Sequence, residues 1–181
     1  MEDLRIRTTK NMIHQALIRL LKSKPLEKIT VVELCKQAQV NRSTFYKYYG
    51  SQYDVLEDIV QNLFHQLGEF SVKSQSDPQK MIFSKEMLAF LLEHKQLCQT
   101  LLDCVPSPYF QNKLLNILQY DDSFSKKFSD KYSEEQKRIL FAYYQHGCFG
   151  IMSHWVHSET PMSVDQLFDV MYKLRQNIMF K

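Results

Sequence analysis

The chain has 181 residues, of which 44% are hydrophobic and 24% are charged, a composition typical of a globular protein with a substantial core. Its 4 glycines form no G-x-G-x-x-G or G-K-[ST] pattern, which argues against a fold that cradles nucleotide phosphates. No apolar run approaches the roughly 18 residues of a membrane span, and the first residues lack the apolar stretch of a signal peptide. We therefore expect a cytoplasmic chain without membrane contact.

Positive charge is concentrated at the start of the chain. Residues 1–50 hold ten Lys or Arg against four acidic residues, so this segment carries a net charge of +6 and residues 51–181 carry −3. A basic segment on a mildly acidic body is typical of proteins that bind a polyanion such as nucleic acid. The charge pattern therefore predicts a polyanion-binding head.

Helical spacing of apolar residues begins in this head and predicts three short helices, over about residues 8–22, 30–38 and 42–48. Pro25 ends the first helix, Thr30 and Glu33 fit a capping box for the second, and Asn41 caps the third. None of them is long enough to be stable alone, so they are expected to share a small core. The expected core residues are Ile13, Leu17, Leu20, Leu34, Val40, Phe45 and Tyr49.

The remaining chain is also helical in pattern. Ser51 and Asp54 cap a long helix that reaches about residue 70, before a polar loop over residues 71–76. Further helices are predicted over about residues 78–94, 96–102 and 109–120, followed by an irregular segment over 121–132. Capping boxes at Ser133 and Ser163 start the last two. The predicted fold is all-α with about nine helices, divided into a head over residues 1–50 and a body over residues 51–181.

The most specific pattern lies in residues 30–51. A helix of about nine residues, a turn of about three, and a second helix that opens with polar and basic residues form a helix-turn-helix, whose second helix fits the ~12 Å major groove of DNA. Within it, Phe45-Tyr46-x-Tyr48-Tyr49-x-Ser51, after Ala38-x-Val40-Asn41, resembles the signature of the TetR family of bacterial transcriptional regulators. The resemblance is strong over about residues 8–60, and the remaining chain matches the family in length and helix count.

The resemblance implies a repressor without catalytic activity or cofactor, which binds double-stranded operator DNA as a homodimer and is released by a small-molecule effector. It places Arg42, Ser43 and Thr44 at base edges and flanking phosphates, and Thr30 at a phosphate. The expected DNA-binding residues are Thr30, Arg42, Ser43, Thr44, Tyr46, Lys47, Tyr48 and Gln52. A basic residue on a short amphipathic helix is more often solvated, but capping, turn spacing and the aromatic signature agree here and favour contact.

Two positions depart from the family pattern. Gln39 stands in the turn where the family usually has Gly, and we expect it to hold a left-handed backbone at modest cost. Gln52 stands where the family usually has Lys, so the start of the fourth helix loses a cationic phosphate contact. We expect this helix terminus to contribute only hydrogen bonds from its amides.

In the body, the resemblance implies an effector pocket for an apolar or aromatic small molecule. Adaptable Met and aromatic side chains suit such a pocket, although any one of them is also a candidate for the ordinary core. The candidate pocket residues are Phe64, Met87, Phe90, Leu91, Phe110, Leu114, Tyr144 and Phe149.

The last two helices are the candidate dimer interface. Gly147 and Gly150 leave a strip of low relief on the penultimate helix, and glycine within a helix costs about 1 kcal/mol relative to alanine. Close approach of another element explains both glycines, either from the same chain or from a twofold mate as the resemblance implies. The candidate interface residues are Gly147, Gly150, Trp155, Leu167, Val170, Leu174 and Ile178.

No metal site is expected. His154 and His157 share a helix face, but His146 lies about three turns, or ~16 Å, from His157, too far for one site. Two alternatives to the repressor stay open: a regulator of the same fold that activates, alone or through a protein partner, and a helical ligand-binding protein or enzyme with a vestigial head. The charge of the head disfavours the second.

Overall fold

A computed structural model describes residues 4–73, 84–104, 112–113 and 132–179, apart from the side chains of residues 71–73, 175 and 177–179. Within these ranges the chain forms eight α-helices and no strand, with a 3-10 turn at Leu26–Lys28. The helices are α1 (Leu4–Leu21), α2 (Val31–Ala38), α3 (Arg42–Phe45), α4 (Gln52–Lys73), α5 (Lys85–Glu93), α6 (Lys95–Cys104), α7 (Glu134–His157) and α8 (Val164–Met179). The predicted all-α fold class is confirmed.

α1 begins at Leu4, four residues before its predicted start at residue 8. The hydroxyls of Thr8 and Thr9 donate to the carbonyls of Leu4 and Arg5, each at 2.9 Å. These bonds run back along the helix, so Thr8 lies inside the helix and does not cap it.

The middle of the chain differs from the prediction at two points. α4 continues to Lys73, so the polar loop predicted over residues 71–76 is wrong for its first three residues. Ser84 has an extended backbone and its hydroxyl accepts from the Met87 amide at 3.1 Å, so α5 begins at Lys85 and the predicted continuous helix over residues 78–94 is wrong there. Parts of three predicted segments lie outside the described residues. They are the predicted start of that helix, most of the helix over 109–120 and all but the end of the segment 121–132.

The two predicted capping boxes of the body are confirmed. The amide of Ser133 donates to Gln136 Oε1 at 2.8 Å, and the Gln136 amide donates to the Ser133 hydroxyl at 3.3 Å. Ser163 and Gln166 form the same reciprocal pair at 3.0 and 3.2 Å. Each pair satisfies two amides that a helix terminus leaves without an intrahelical partner.

The core of the head forms where α1, α2, α3 and α4 each bury an apolar face. Of the predicted core residues, five are buried, namely Ile13, Leu17, Leu34, Phe45 and Tyr49, whereas Leu20 and Val40 are half-buried. α4 contributes Val55, Ile59, Val60 and Leu63, all buried. The three short helices are therefore stabilised by a shared core that includes the start of α4.

The turn after α2 is fixed by a left-handed residue. Gln39 has φ 56° and ψ 39°, the only positive φ among the described non-glycine residues, which confirms the left-handed backbone expected there. The Val40 amide donates to the Cys35 carbonyl at 3.0 Å, and the Gln39 amide to the Lys36 carbonyl at 3.2 Å. This pair of bonds is the Schellman arrangement that ends a helix and turns the chain sharply.

By their contacts the residues group into two compact units, residues 1–66 and 67–181. The first unit thus includes the first part of α4, and the predicted division after residue 50 remains a prediction.

In the second unit α5 packs against α8, and α6 packs against α7. At the end of α7, Lys95 Nζ donates to the Ser158 carbonyl and Gln99 Nε2 to the Val156 carbonyl, at 2.5 and 2.9 Å. Side chains of α6 therefore satisfy carbonyls at the C-terminus of α7.

The cysteines are free thiols. Cys98 and Cys148 are buried on α6 and α7, and burial raises the pKa of each to about 12. These two thiols are therefore protonated at neutral pH and behave as small apolar core residues.

Replacing Gln39 with Gly tests the left-handed turn. A left-handed conformation costs an L-residue about 1–2 kcal/mol and costs Gly almost nothing, so Gln39→Gly is expected to raise the free energy of unfolding by roughly 0.5–1 kcal/mol. Urea denaturation at 25 °C measures the change. Gln37→Gly is the matched control, because Gln37 is an exposed residue inside α2, where Gly lowers stability by about 1 kcal/mol. Equal losses in both variants would contradict the left-handed assignment.

Candidate nucleic-acid interface

The helix-turn-helix is formed by α2, the turn at residues 39–41 and α3. Thr30 is the N-cap of α2, and its hydroxyl oxygen accepts from the Glu33 amide at 3.3 Å. This bond does not use the hydroxyl proton of Thr30, and the residue is exposed, as a phosphate contact requires. The Glu33 carboxylate accepts from Lys24 Nζ at 2.5 Å and also from the Thr30 backbone, so Lys24 shares the acceptor of the predicted capping box. This bond from Lys24 holds the pKa of Glu33 below its usual range.

α3 has a single helical turn, shorter than the helix predicted over residues 42–48. After Phe45 the chain continues in tight turns, with the Tyr48 and Tyr49 amides both donating to the Phe45 carbonyl, at 2.9 and 3.0 Å. Asn41 occupies the N-cap position, but its side chain makes no capping hydrogen bond, so that part of the prediction is wrong. We call residues 42–49 the recognition segment.

The recognition segment has one buried and one exposed face. Phe45 is fully buried and Tyr49 is 5% exposed, and their ring centroids lie 5.8 Å apart. Because these two residues are four apart, they anchor one side of the segment in the head core. The expected contact residues Arg42, Ser43, Tyr46 and Lys47 are exposed on the other side, while Thr44 and Tyr48 are half-buried. The structure thus brings the expected DNA contacts of this segment together on the side opposite the buried Phe45 and Tyr49.

The exposed face carries uncompensated positive charge. Across the described ranges neither Arg42 nor Lys47 has an ion pair, and the segment contains no acidic residue. Guanidinium and ammonium groups in this state are available to phosphate oxygens or to guanine edges.

The start of α4 is already occupied by a carboxylate. Asp54 Oδ2 accepts from the amides of Gly50 and Ser51 at 2.7 and 3.1 Å, and the Asp54 amide faces the Ser51 hydroxyl at 3.4 Å. A Cβ on Gly50 would lie 3.0 Å from Asp54 Oδ2, so Gly50 permits this close approach. The cap predicted at Ser51 is confirmed, and Asp54 engages the amides of Gly50 and Ser51, which precede α4. Hydrogen bonds from the first amides of α4 to DNA remain a prediction. Gln52 is half-buried at the start of α4.

A polar cluster that sequence patterns did not reveal lies behind the recognition segment. The Tyr49 hydroxyl donates to Asp58 Oδ2 at 2.6 Å, and His14 Nε2 lies 2.8 Å from that hydroxyl and 3.2 Å from Asp58 Oδ2. Burial lowers the pKa of His14, although the Asp58 charge and hydrogen bond oppose the shift. One signal was present in the sequence, since a tyrosine hydroxyl in a core needs a polar partner.

The candidate interface residues of the body fall into two groups. Gly147 and Gly150 are exposed on α7, and a Cβ added at either would meet no described atom within 4 Å. Val170 and Leu174 on α8 are each 40% exposed. Trp155 and Leu167, by contrast, are buried within the described part of the chain, where the Trp155 indole N–H donates to the Met162 carbonyl at 2.8 Å. The side chain of Ile178 lies outside the described residues.

Sequence patterns missed two exposed apolar residues of α7, Ile139 and Tyr143, which are 64% and 66% exposed. Steps of four, four and three residues place them on one face of α7 with Gly147 and Gly150. We call these four residues the α7 stripe. The spacing of these four residues was visible in the sequence, but the exposure of Ile139 and Tyr143 was not.

Six of the eight candidate pocket residues are described. Phe64, Met87, Leu91 and Tyr144 are buried, and Phe90 and Phe149 are half-buried. Phe110 and Leu114 lie outside the described residues. Burial suits both a core and a pocket lining, so the pocket remains a prediction.

Two of the three histidines of α7 make local bonds. His146 and His157 each place Nδ1 against the carbonyl four residues earlier, at 2.8 and 2.7 Å, and His157 Nε2 lies 3.2 Å from Asp103 Oδ1. In the described ranges no group of three or more His, Cys, Asp or Glu residues is arranged to hold a metal ion. Nor does any helix there combine the length and apolar content needed to cross a bilayer.

Comparison with known proteins agrees with this geometry. Residues 13–59 match the family described as bacterial regulatory proteins, tetR family, and residues 76–177 match the one described as transcriptional regulator C-terminal region. A solved TetR transcriptional regulator from Streptococcus agalactiae 2603V is 25% identical, with a TM-score of 0.61 and coverage of 94% of both chains.

Two more distant proteins share this likeness. The structure described as dihydroxyacetone kinase operon activator DhaS is 20% identical, with a TM-score of 0.59 and coverage of 94% of this chain and 96% of that one. An uncharacterized HTH-type transcriptional regulator of Bacillus subtilis, YxbF, is 20% identical over 90% of this chain, which spans only 43% of the relative's length. The paired matches over head and body show that the chain belongs to the TetR family of transcriptional regulators.

Proposed function

We propose that the chain binds a specific operator in double-stranded DNA as a homodimer and acts as a repressor that a small-molecule effector releases. The observation that carries the DNA-binding part is the recognition segment, whose buried anchors leave Arg42 and Lys47 exposed and without ion pairs in the described structure. A net charge of +6 in residues 1–50 adds the long-range attraction to phosphates that DNA-binding proteins use. The family assignment, in turn, favours regulation over catalysis.

The homodimer follows from what one head can read. A single recognition segment reads only a few base pairs, so specificity among genomic sites requires two heads on one duplex. The heads must lie about 34 Å apart, which calls for a twofold body. The α7 stripe, with Val170 and Leu174 on α8, supplies exposed apolar residues and two glycines for such a surface. A second copy of this chain is therefore the proposed occupant of the stripe.

An apolar or aromatic effector is supported by the body's composition. Met87, Leu91 and Tyr144 are buried on α5 and α7, and flexible Met beside aromatic rings suits a cavity that adapts to a ligand. A molecule that binds one arrangement of the body more tightly would change DNA affinity by the same factor, because coupling between two sites is reciprocal.

An activator is the second candidate, alone or through a protein partner, because one solved structure that shares this fold is described as an operon activator. A reporter gene placed behind the bound DNA separates the two. Repression lowers expression when the protein is present, and activation raises it.

Alanine replacement of Arg42 and of Lys47 tests the DNA contacts. Each is expected to weaken operator binding by about 1–3 kcal/mol while folding is retained, because both side chains are exposed. Loss of Lys47 should also flatten the plot of log K against log salt by about one per subunit, since one released counterion accompanies each phosphate contact. Binding titrations on a duplex enriched from a random library measure both.

Lys36→Ala is the matched control for these variants. Lys36 is exposed in the last turn of α2, whereas Thr30 caps the first turn. The control removes one positive charge, as the other two variants do, so it weakens general attraction to DNA by the same amount. Losses no larger than the control's at Arg42 and Lys47 would exclude the assignment.

Replacing Gly150 with Leu tests the dimer. A Cβ at this position meets no described atom, so Leu is tolerated in the monomer and raises helix propensity by about 0.8–1 kcal/mol relative to Gly. Across a close helix crossing, however, the same side chain overpacks by roughly 1–3 kcal/mol. Sedimentation is expected to show a folded monomer with weakened operator binding. A dimer that binds DNA as the wild type does would remove Gly150 from the interface.

A further inference from the structure

The Tyr49–Asp58–His14 cluster connects three separate parts of the head. His14 lies on α1, Tyr49 ends the recognition segment, and Asp58 lies on α4. Their side chains are largely shielded, with His14 12% and Asp58 28% exposed. Three polar groups from three elements therefore meet directly behind the face proposed to contact DNA.

The distances in the cluster favour one arrangement of donors and acceptors. The single Tyr49 hydroxyl proton goes to Asp58 Oδ2 across 2.6 Å, so the hydroxyl oxygen can only accept from His14 Nε2 at 2.8 Å. In this arrangement His14 takes the tautomer with a proton on Nε2, which also faces Asp58 Oδ2 at 3.2 Å. Asp58 is the carboxyl acceptor of the cluster, with Lys10 Nζ 4.0 Å away and Asn62 Nδ2 at 3.3 Å from its other oxygen. Hydrogen bonds to a carboxylate are the stronger kind and are directional.

The recognition segment needs such a directional anchor because its own backbone supplies little. α3 is four residues long, and the bonds that follow it return to Thr44 and Phe45 inside the same segment. Phe45 holds the segment by apolar burial, which decides the buried side but is non-directional and so does not fix the fine rotation about the segment's axis. The Tyr49 hydroxyl, four residues along the same buried side, fixes that rotation when it bonds to α4.

We propose that Asp58 is a positioning residue for sequence readout: through the Tyr49 hydroxyl, with His14 as the third member, it sets the rotation at which the recognition segment presents Arg42 and Lys47. The inference rests on the proposed DNA binding. Discrimination between bases depends on the placement of side chains within a few tenths of an ångström, whereas contact with phosphates depends mainly on charge. Loss of the cluster should therefore reduce specific binding much more than non-specific binding.

Two variants remove the bonds while they preserve shape. Tyr49→Phe deletes only the hydroxyl and keeps the buried ring, and Asp58→Asn replaces the carboxyl acceptor with a neutral amide. Glu57→Gln is the matched control, because it removes one negative charge from the neighbouring position of α4, where the carboxylate accepts from Gln61 at 2.6 Å. Any gain in DNA affinity from lost negative charge is thus shared by Asp58→Asn and the control.

The first readout needs no DNA. Amide hydrogen exchange in the folded full chain is expected to be about tenfold faster over residues 44–49 in Tyr49→Phe and Asp58→Asn, and unchanged in Glu57→Gln. The second readout is the ratio of affinities for a duplex enriched by the wild type and for random duplex. We expect this ratio to fall about tenfold in the two cluster variants, with affinity for random duplex held within about twofold of the control's.

Each outcome decides the inference. Unchanged exchange over residues 44–49 would overturn the anchoring step, and faster exchange with an unchanged ratio would overturn the link to readout. Equal losses on both duplexes would show a role in general stability alone. A wild type that does not discriminate between duplexes would reject the proposed operator binding, and with it the readout role, while the exchange measurement would still show whether the cluster anchors the segment.

Discussion

Burial of Phe45 is the interaction on which the head depends. The recognition helix has only four residues, and a helix of one turn has no independent stability. Phe45 is completely removed from solvent, as are Ile13 and Leu17 of α1 and Leu34 of α2. Large aromatic burial of this kind is worth several kcal/mol, which exceeds what the few local hydrogen bonds contribute. Burial of the Phe45 ring therefore holds the exposed Arg42 and Lys47 in place.

The course of the chain before Phe45 is equally constrained. Gln39 ends α2 in a left-handed conformation, and the Schellman bonds to Cys35 and Lys36 redirect the backbone within three residues. A turn of this length brings α3 back onto the core that α2 already shares with α1. The exposed side of the recognition segment therefore follows from one left-handed residue before it and two buried rings within it.

Much of this arrangement could be predicted from the sequence, because its signals are local. The capping residues Ser133 and Ser163 each accept a hydrogen bond from an amide three positions later. The spacing of Phe45 and Tyr49 indicates that they share one face. Predictions failed where local signals competed. Ser84 interrupts a helix pattern that apolar spacing alone continues, and Glu33 bonds to Lys24 of the α1–α2 connection, a partner that its capping-box spacing did not predict.

Other features depend on residues far apart in the chain. His14, Tyr49 and Asp58 meet only after α1, α3 and α4 have packed, so neither spacing nor composition indicates their cluster. The α7 stripe was only partly predictable. Its residue spacing is visible in the sequence, but the sequence could not show that Ile139 and Tyr143 remain exposed while Tyr144 and Cys148 are buried beside them.

The central claim is that two copies of this head read one duplex. Hydroxyl-radical footprinting of the wild-type protein on a duplex enriched from a random library tests it most directly. The account predicts two protected segments related by twofold symmetry, with centres about 34 Å or one helical turn apart, or slightly more, on one face of the DNA. A single protected segment, or no sequence-dependent protection by the folded protein, would contradict it.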